Sequence, residues 1–353
     1  MKSLLQINVA AIALTLAIGA VGGWLAHLAH FPLGYLLGSL LSVGVLAALD
    51  YRPFGRMMTL PKRLRFSFVP VIGVAIGGSF TPTVIGQATT WWPSLFALCL
   101  FVPVAHGIGF WIYRRGGLTA KDAFYGAVPG GLIESVQLGE EAGADVRLLT
   151  VLQFLRLILT IISVPMIFWA MTGRAVGSAS GVAMVGADVV LGARNIALLV
   201  LAGLGGVAIG RLLRLPGWII TGPILVSGVL HATGLVQGVP PHWLIAATQV
   251  VLGAGLGARF AGTERRLLLL AGRLAVLNGM AALTLAFAFA ETLHLLVGEP
   301  VAAVFLAFAP GGLAEMSLIA LSLQMSAIYV TAHHVARIML AVGLAKLGSR
   351  LLP

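Results

Sequence analysis

Apolar residues run through this chain in long stretches separated by short polar loops, and the length of those stretches predicts the elements. A helix needs about 20 apolar residues to cross the hydrocarbon core of a bilayer. Ten stretches approach that length: 6–27, 31–49, 66–82, 93–113, 148–170, 195–210, 214–233, 243–260, 267–290 and 326–347. Two more, 122–142 and 301–322, are as apolar but are each interrupted by Pro-Gly-Gly. Helices are expected because they satisfy their backbone hydrogen bonds internally in lipid. The polar–apolar alternation of a membrane barrel is absent. Met1-Lys2, ahead of an apolar run to Leu25 without a clear cleavage motif, reads as the start of a retained first helix.

Composition strengthens this picture. Of 353 residues, 59% are hydrophobic and 9% charged, and the mean hydropathy is +1.03. A soluble chain carries roughly 25% charged residues, so much of this surface must face lipid. The net charge of +11 would hint at nucleic acid in a soluble protein. Here the basic residues sit in short loops, where membrane orientation accounts for them, so no nucleic-acid partner is expected. A single cysteine, Cys99, excludes an internal disulfide and a Cys-based zinc site.

The chain also repeats itself. Pro32, Gly38 and Gly44 recur as Pro216, Gly222 and Gly228, 184 positions on. Val71–Phe80 is matched by Val251–Phe260 at an offset of 180, with Gly73 and Gly77 answering Gly253 and Gly257. Pro129-Gly130-Gly131 with Glu134 and Ser135 is matched at 181 by Pro310-Gly311-Gly312 with Glu315 and, nearby, Ser317. Thr150 with Thr331 and Arg156 with Arg337 keep that offset. Two membrane repeats are therefore expected, 1–175 and 176–353. The glycine pairs, spaced by four, read first as close helix contacts.

Loop charges give the relative orientation, since basic residues in short loops favour the cytoplasm. Arg52, Arg56, Lys62, Arg63 and Arg65 lie in a loop whose counterpart, 234–242, has no Lys or Arg. Loop 81–92 has none, whereas its counterpart holds Arg259, Arg265 and Arg266. Arg114, Arg115 and Lys121 face a counterpart, 291–300, with acidic residues and His294. The bias changes sign each time, which points to inverted repeats. The fold class expected is thus an all-α polytopic membrane protein of about ten crossings (10–12) with two Pro-Gly-Gly segments. If those segments re-enter, five crossings per copy remain and both termini are cytoplasmic. If they cross fully, or if 176–193 with Asp188 adds a span, the count changes.

Pro129 and Pro310 remove an amide donor, and the glycines after them permit a sharp turn. Irregular backbone at membrane depth is tolerated only where protein or a cavity covers it. Transporters with internal repeats place their solute sites at such paired discontinuities. The candidate site is therefore Pro129, Gly130, Gly131, Glu134, Ser135 and Arg156 from the first copy, with Pro310, Gly311, Gly312, Glu315, Ser317 and Arg337 from the second. A carboxylate at this depth is costly unless paired or solvated, and Arg156 and Arg337 are its expected partners. Each Glu–Arg pair can serve a solute or staple the broken segment, and the sequence leaves both open. The copies differ in polar neighbours, with Gln137 and Gln153 in the first and Gln324, His333 and His334 in the second. Adjacent helical histidines diverge by about 100°, so no metal site is expected. No phosphate loop, dinucleotide fingerprint, zinc-protease motif or nucleophile elbow is present. Neither a cofactor nor enzymatic turnover is expected.

The duplicated Pro-Gly-x-x-x-Gly element, Leu215-Pro-Gly-Trp-Ile-Ile-Thr-Gly222, and the duplicated Pro-Gly-Gly-x-x-Glu element resemble the AbrB-type duplicated membrane protein family over nearly the whole chain. Its members are labelled as ammonia monooxygenases or as regulators of aidB expression. The name is shared with a soluble transition-state regulator, which this sequence does not resemble. The resemblance implies a bacterial inner membrane, a transporter-like duplicated domain and a distant relation to cation/proton antiporter and anion transporter folds. It carries over no catalytic residue. The first copy departs at Leu33, where the second has Gly217. Three functions follow as expectations: a secondary transporter of a small solute, proton-coupled in one version; a membrane-embedded regulator or scaffold; or, least supported, a membrane oxidoreductase. Expected partners are the lipid bilayer, a small solute or ion and, as one option, a second copy in a homodimer.

Overall fold

A computed structural model describes residues 9–52, 55–80, 86–172, 191–215 and 217–348. Pro216, Asp188 and most of the stretch around it lie outside the described residues. Among the described residues there are helices and connecting turns and no strand. Seven helices are long and apolar enough to cross a membrane. They are α1 (Val9–Leu28), α4 (Trp92–Arg115), α7 (Val146–Thr172), α8 (Ala193–Leu212), α10 (His242–Gly257, continued by a 3-10 turn), α11 (Arg265–Val297) and α14 (Ala327–Gly348). The remaining helices named here are shorter: α2 (Gly34–Ala48), α3 (Lys62–Gly77), α5 (Ala120–Ala127), α6 (Leu132–Glu141), α9 (Trp218–Ala232), α12 (Val301–Phe308) and α13 (Leu313–Ser322).

Helices α2 and α9 are shorter than the apolar runs that foretell them, because each begins only after a left-handed residue. Leu33 has φ 47° and Gly217 has φ 58°. A branched side chain in that region is uncommon, yet Leu33 is fully buried. Its packing holds a conformation that glycine reaches freely.

The helices pack in two groups. In the first, α2 lies on α1 and α10, α9 lies on α8 and α3, and α3 meets α10. Close backbone approach builds this group. A methyl on Gly38 would overlap the carbonyl of Gly22, and one on Gly222 would overlap that of Gly206. Gly73 and Gly77 abut α9, while Gly253 and Gly257 abut α2. These four glycines are packing residues, as their spacing suggested. In the second group, α11 lies on α4, α7 and α12, and α14 lies on α4, α12 and α13. Here phenylalanines fill the core: Phe101 meets Phe289 and Phe308 at ring distances of 5.4 and 5.2 Å. Helices α13 and α14 also reach α3 of the first group.

Both Pro-Gly-Gly segments are pairs of half-helices, α5–α6 and α12–α13. Proline disfavours helical geometry in the residue before it, and Val128 (φ −54°, ψ 118°) and Ala309 (φ −55°, ψ 132°) are extended accordingly. The first pair folds back on itself. Asp122, near the start of α5, accepts the Asp145 amide beyond the end of α6 at 2.8 Å, and Gly139 of α6 lies against Tyr125 of α5. The second pair also returns to where it starts. Before it, the Val297 carbonyl meets the Thr90 hydroxyl at 3.4 Å. After it, Tyr329 packs edge-on against Trp91 at 5.4 Å and His333 meets Ser94 at 2.8 Å. Both flanks therefore sit at the N-terminal end of α4. The first pair starts just after the C-terminal end of α4, at Arg115. The hairpins thus enter from opposite ends of a helix about 36 Å long.

Candidate functional site

The two hairpin tips approach each other's supporting helix. Gly130 lies against Ile338 and Ala341 of α14, and Gly131 against Val342. Gly312 lies 3.2 Å, measured from where its Cβ would be, from Leu157 of α7. Residues 157 and 338 are themselves 181 positions apart, so the contacts mirror one another.

Each tip is held from behind by two polar residues one turn apart. On α7, Gln153 donates its amide to the carbonyls of Tyr125 (3.0 Å), Gly126 (3.1 Å) and Val128 (3.3 Å). Arg156 donates to the Val128 carbonyl as well. On α14, His334 Nε2 meets the Leu306 carbonyl at 2.9 Å. Arg337 donates to the carbonyls of Phe308 (3.3 Å), Ala309 and Gly311 (3.0 Å), and to His334 Nδ1 at 3.1 Å. The last carbonyls of a helix lack intrahelical partners and carry the negative end of its dipole. A cation buried there satisfies both, which is how Arg337 stays 1% exposed and Arg156 5% exposed. The bond to Arg337 requires His334 Nδ1 to accept, which assigns its proton to Nε2.

The expected Glu–Arg pairing is therefore corrected. Among the described residues neither Glu134 nor Glu315 forms an ion pair with Arg156 or Arg337. The arginines are committed to backbone carbonyls, which compete for them at shorter range. Glu134 and Glu315 instead occupy the first turns of α6 and α13. Each carboxylate turns back over the glycine that starts its own half-helix, Gly131 or Gly312. The positive end of the helix dipole favours that position. Glu134 is half-buried and Glu315 is 9% exposed. The cation acting on Glu315 is Arg65 of α3, from the other helix group.

The other candidates divide. Pro129 and Pro310 are buried at the tips. Ser317 bonds Thr331 at 2.8 Å, whereas the buried Ser135 donates only to the Leu132 carbonyl of its own turn at 3.1 Å. Gln137 and Gln324 are exposed. His333 turns to the Tyr329 carbonyl and Ser94, away from His334. Among the described residues no three His, Cys, Asp or Glu side chains gather as a metal group. The Nε–H groups of Arg156 and Arg337 are buried without a protein acceptor, so neither arginine spends all its donors on its tip. The sequence reasoning missed that Gln153 and His334 do the same work. The signal was available, since the 181 offset that links the arginines also links these two.

The chain is similar to known proteins across this whole architecture. A family model described as "Transition state regulatory protein AbrB" matches residues 45–352. The "Uncharacterized protein YhjN" of Bacillus subtilis (strain 168) is 26% identical over 96% of this chain and 92% of its own length. The "Putative regulator AbrB" of Escherichia coli (strain K12) is 25% identical over 82% of each chain. The family match spans both hairpins and both of the helices that clamp them, and the chain belongs to the AbrB family.

Proposed function

We propose that this chain is a multi-pass bacterial inner-membrane transporter of a small solute, working by alternating access. In this reading ten helices cross the bilayer in two inverted halves, 1–175 and 176–353. The two Pro-Gly-Gly hairpins re-enter from opposite faces, and both termini are cytoplasmic. The observation that carries the proposal is the pair of opposed hairpins whose tips lean on α14 and α7 (via Gly130 and Gly312). Irregular backbone at membrane depth is tolerated where protein or a cavity covers it, and transporters with internal repeats place their sites at such paired breaks. A purely structural fold would gain more from two unbroken helices, which need no buried arginine to satisfy them. Glu134 and Glu315, seated at the half-helix starts, are the groups available to take a proton or meet a cation.

A second reading, a membrane-embedded regulator, draws on the printed name of the Escherichia coli relative. It needs a partner protein and no through-path. Uptake or efflux in membrane vesicles across a metabolite panel separates the two. The transport reading expects a solute whose flux falls at least tenfold in Glu134→Gln or Glu315→Gln. Equal flux in the wild type and both variants removes the glutamates from the mechanism.

A further inference from the structure

A second polar feature lies apart from the hairpin tips, where the two helix groups meet. A cavity of about 400 Å³ is bounded by Lys62 at the start of α3, by Arg259 just beyond α10, and by Thr150 and Phe154 of α7. Its polar lining is Lys62, Arg259 and the threonines Thr59, Thr150 and Thr263, and no acidic side chain lines it. Arg65 is close enough to Arg259 for their charges to act on one another.

These cations are not balanced from within. Among the described residues neither Lys62 nor Arg259 has an ion pair. The guanidinium of Arg259 sits over the face of Phe154 at 4.2 Å, a cation–π contact that does not supply a counter-charge. Glu315 acts on Arg65, which does not line the cavity. Glu264, the nearest acid in sequence to Thr263, is turned to Arg147 at 3.4 Å. Arg259 is partly buried beside the like charge of Arg65, which costs free energy until an anion joins it, while Lys62 is exposed. Thr59 and Thr263 add hydroxyl donors (the Thr150 hydroxyl is donated to the Val146 carbonyl at 2.7 Å), while Met57, Met58 and Phe260 add apolar walls. That combination fits an acid group on a small apolar body.

We propose that this cavity binds a small organic anion, with Arg259 and Lys62 on its acid group and its apolar part between Phe154, Phe260 and the methionines. Phe154 lies one helical turn from Leu157, which touches Gly312 at the second tip. The cavity is thus the entry to the proposed transport site from the side that holds the basic loops. As a substrate class the assignment rests on the transport reading, whereas binding itself requires no flux.

The test is calorimetric titration of the purified full chain, in nanodiscs of neutral lipid, with benzoate, the uncharged benzamide, and inorganic phosphate. Benzoate binding is expected, with benzamide at least tenfold weaker. Arg259→Gln and Lys62→Gln should each weaken benzoate at least tenfold, and Arg259→Lys should recover part of the loss. Two substitutions are used so that one failing to fold leaves the other. Phosphate binding without benzoate preference would overturn the apolar part of the assignment. If a lipid headgroup is the natural occupant, nanodiscs containing anionic lipid will suppress benzoate binding in the wild type, and the anion site stands with that source. Equal affinity for benzoate and benzamide, or wild-type affinity in both glutamine variants, overturns the proposal. A lost benzoate site with intact Glu315-dependent flux would discard the cavity and keep the transporter.

Discussion

The two hairpins share a plan and differ in how they are fastened. The first is tied at its base. Thr119 donates its hydroxyl to Asp122 at 2.7 Å, and Asp122 takes the Asp145 amide. At its tip, Gln153 spreads one amide over three carbonyls and Arg156 adds to one of them. The second hairpin has Ala303 at the position that answers Asp122, so it lacks that tie. Its tip carries the load, because Arg337 spans three carbonyls and braces His334. The difference teaches where each hairpin is held. The first hairpin is thus fastened by hydrogen bonds at both base and tip, while the second relies on His334 and Arg337 at its tip and on the buried apolar surface of α12 and α13.

That contrast breaks most readily at the arginines. Arg337→Ala removes the donor shared by the Phe308, Ala309 and Gly311 carbonyls and a histidine nitrogen, and about 3–5 kcal/mol of stability should go. Arg156→Ala leaves the Val128 carbonyl with its Gln153 bond, so a loss nearer 1–2 kcal/mol is expected. Denaturant unfolding of the two variants in detergent measures the gap, and equal losses would erase the asymmetry. Next in size is Asp122→Ala, which frees the base of the first hairpin at a cost of about 1–2 kcal/mol. Hydrogen exchange should then rise across 120–145 and stay unchanged across 301–322. The smallest effect belongs to His334→Gln. Glutamine can donate to the Leu306 carbonyl and accept from Arg337, as Gln153 donates in the other half, so about 1 kcal/mol or less should be lost. His334→Leu removes both bonds and should cost more in the same unfolding measurement.

The sequence announced the breaks and the arginines but not what the arginines hold. Pro129 and Pro310 mark where helices stop because a missing amide is a property of the residue itself. The carbonyls of Val128 and Ala309 have no signature in residue type, since every residue carries one. Charge matching therefore paired each arginine with the nearest glutamate. Geometry reassigned it: the glutamates sit at the starts of the second half-helices and the arginines at the ends of the first, on opposite sides of each break. Leu33 was equally opaque. Its left-handed backbone is imposed by the close meeting of α1 and α2 at Gly34, not by its own preference. The cavity lined by Lys62 and Arg259 escaped notice because both read as ordinary loop charges until α7 brought Phe154 under Arg259.

The central claim is that both hairpins re-enter a membrane, from opposite faces. It is tested most directly by labelling single cysteines with a membrane-impermeant thiol reagent in sealed vesicles of known orientation. Cys99, which is exposed, is first replaced by serine. Lys121→Cys and Glu141→Cys flank the first hairpin, and Glu299→Cys and Gln324→Cys flank the second. The account predicts that the first two label from one face and the last two from the other. Labelling of one hairpin's two flanks from opposite faces, or of all four from the same face, would contradict it.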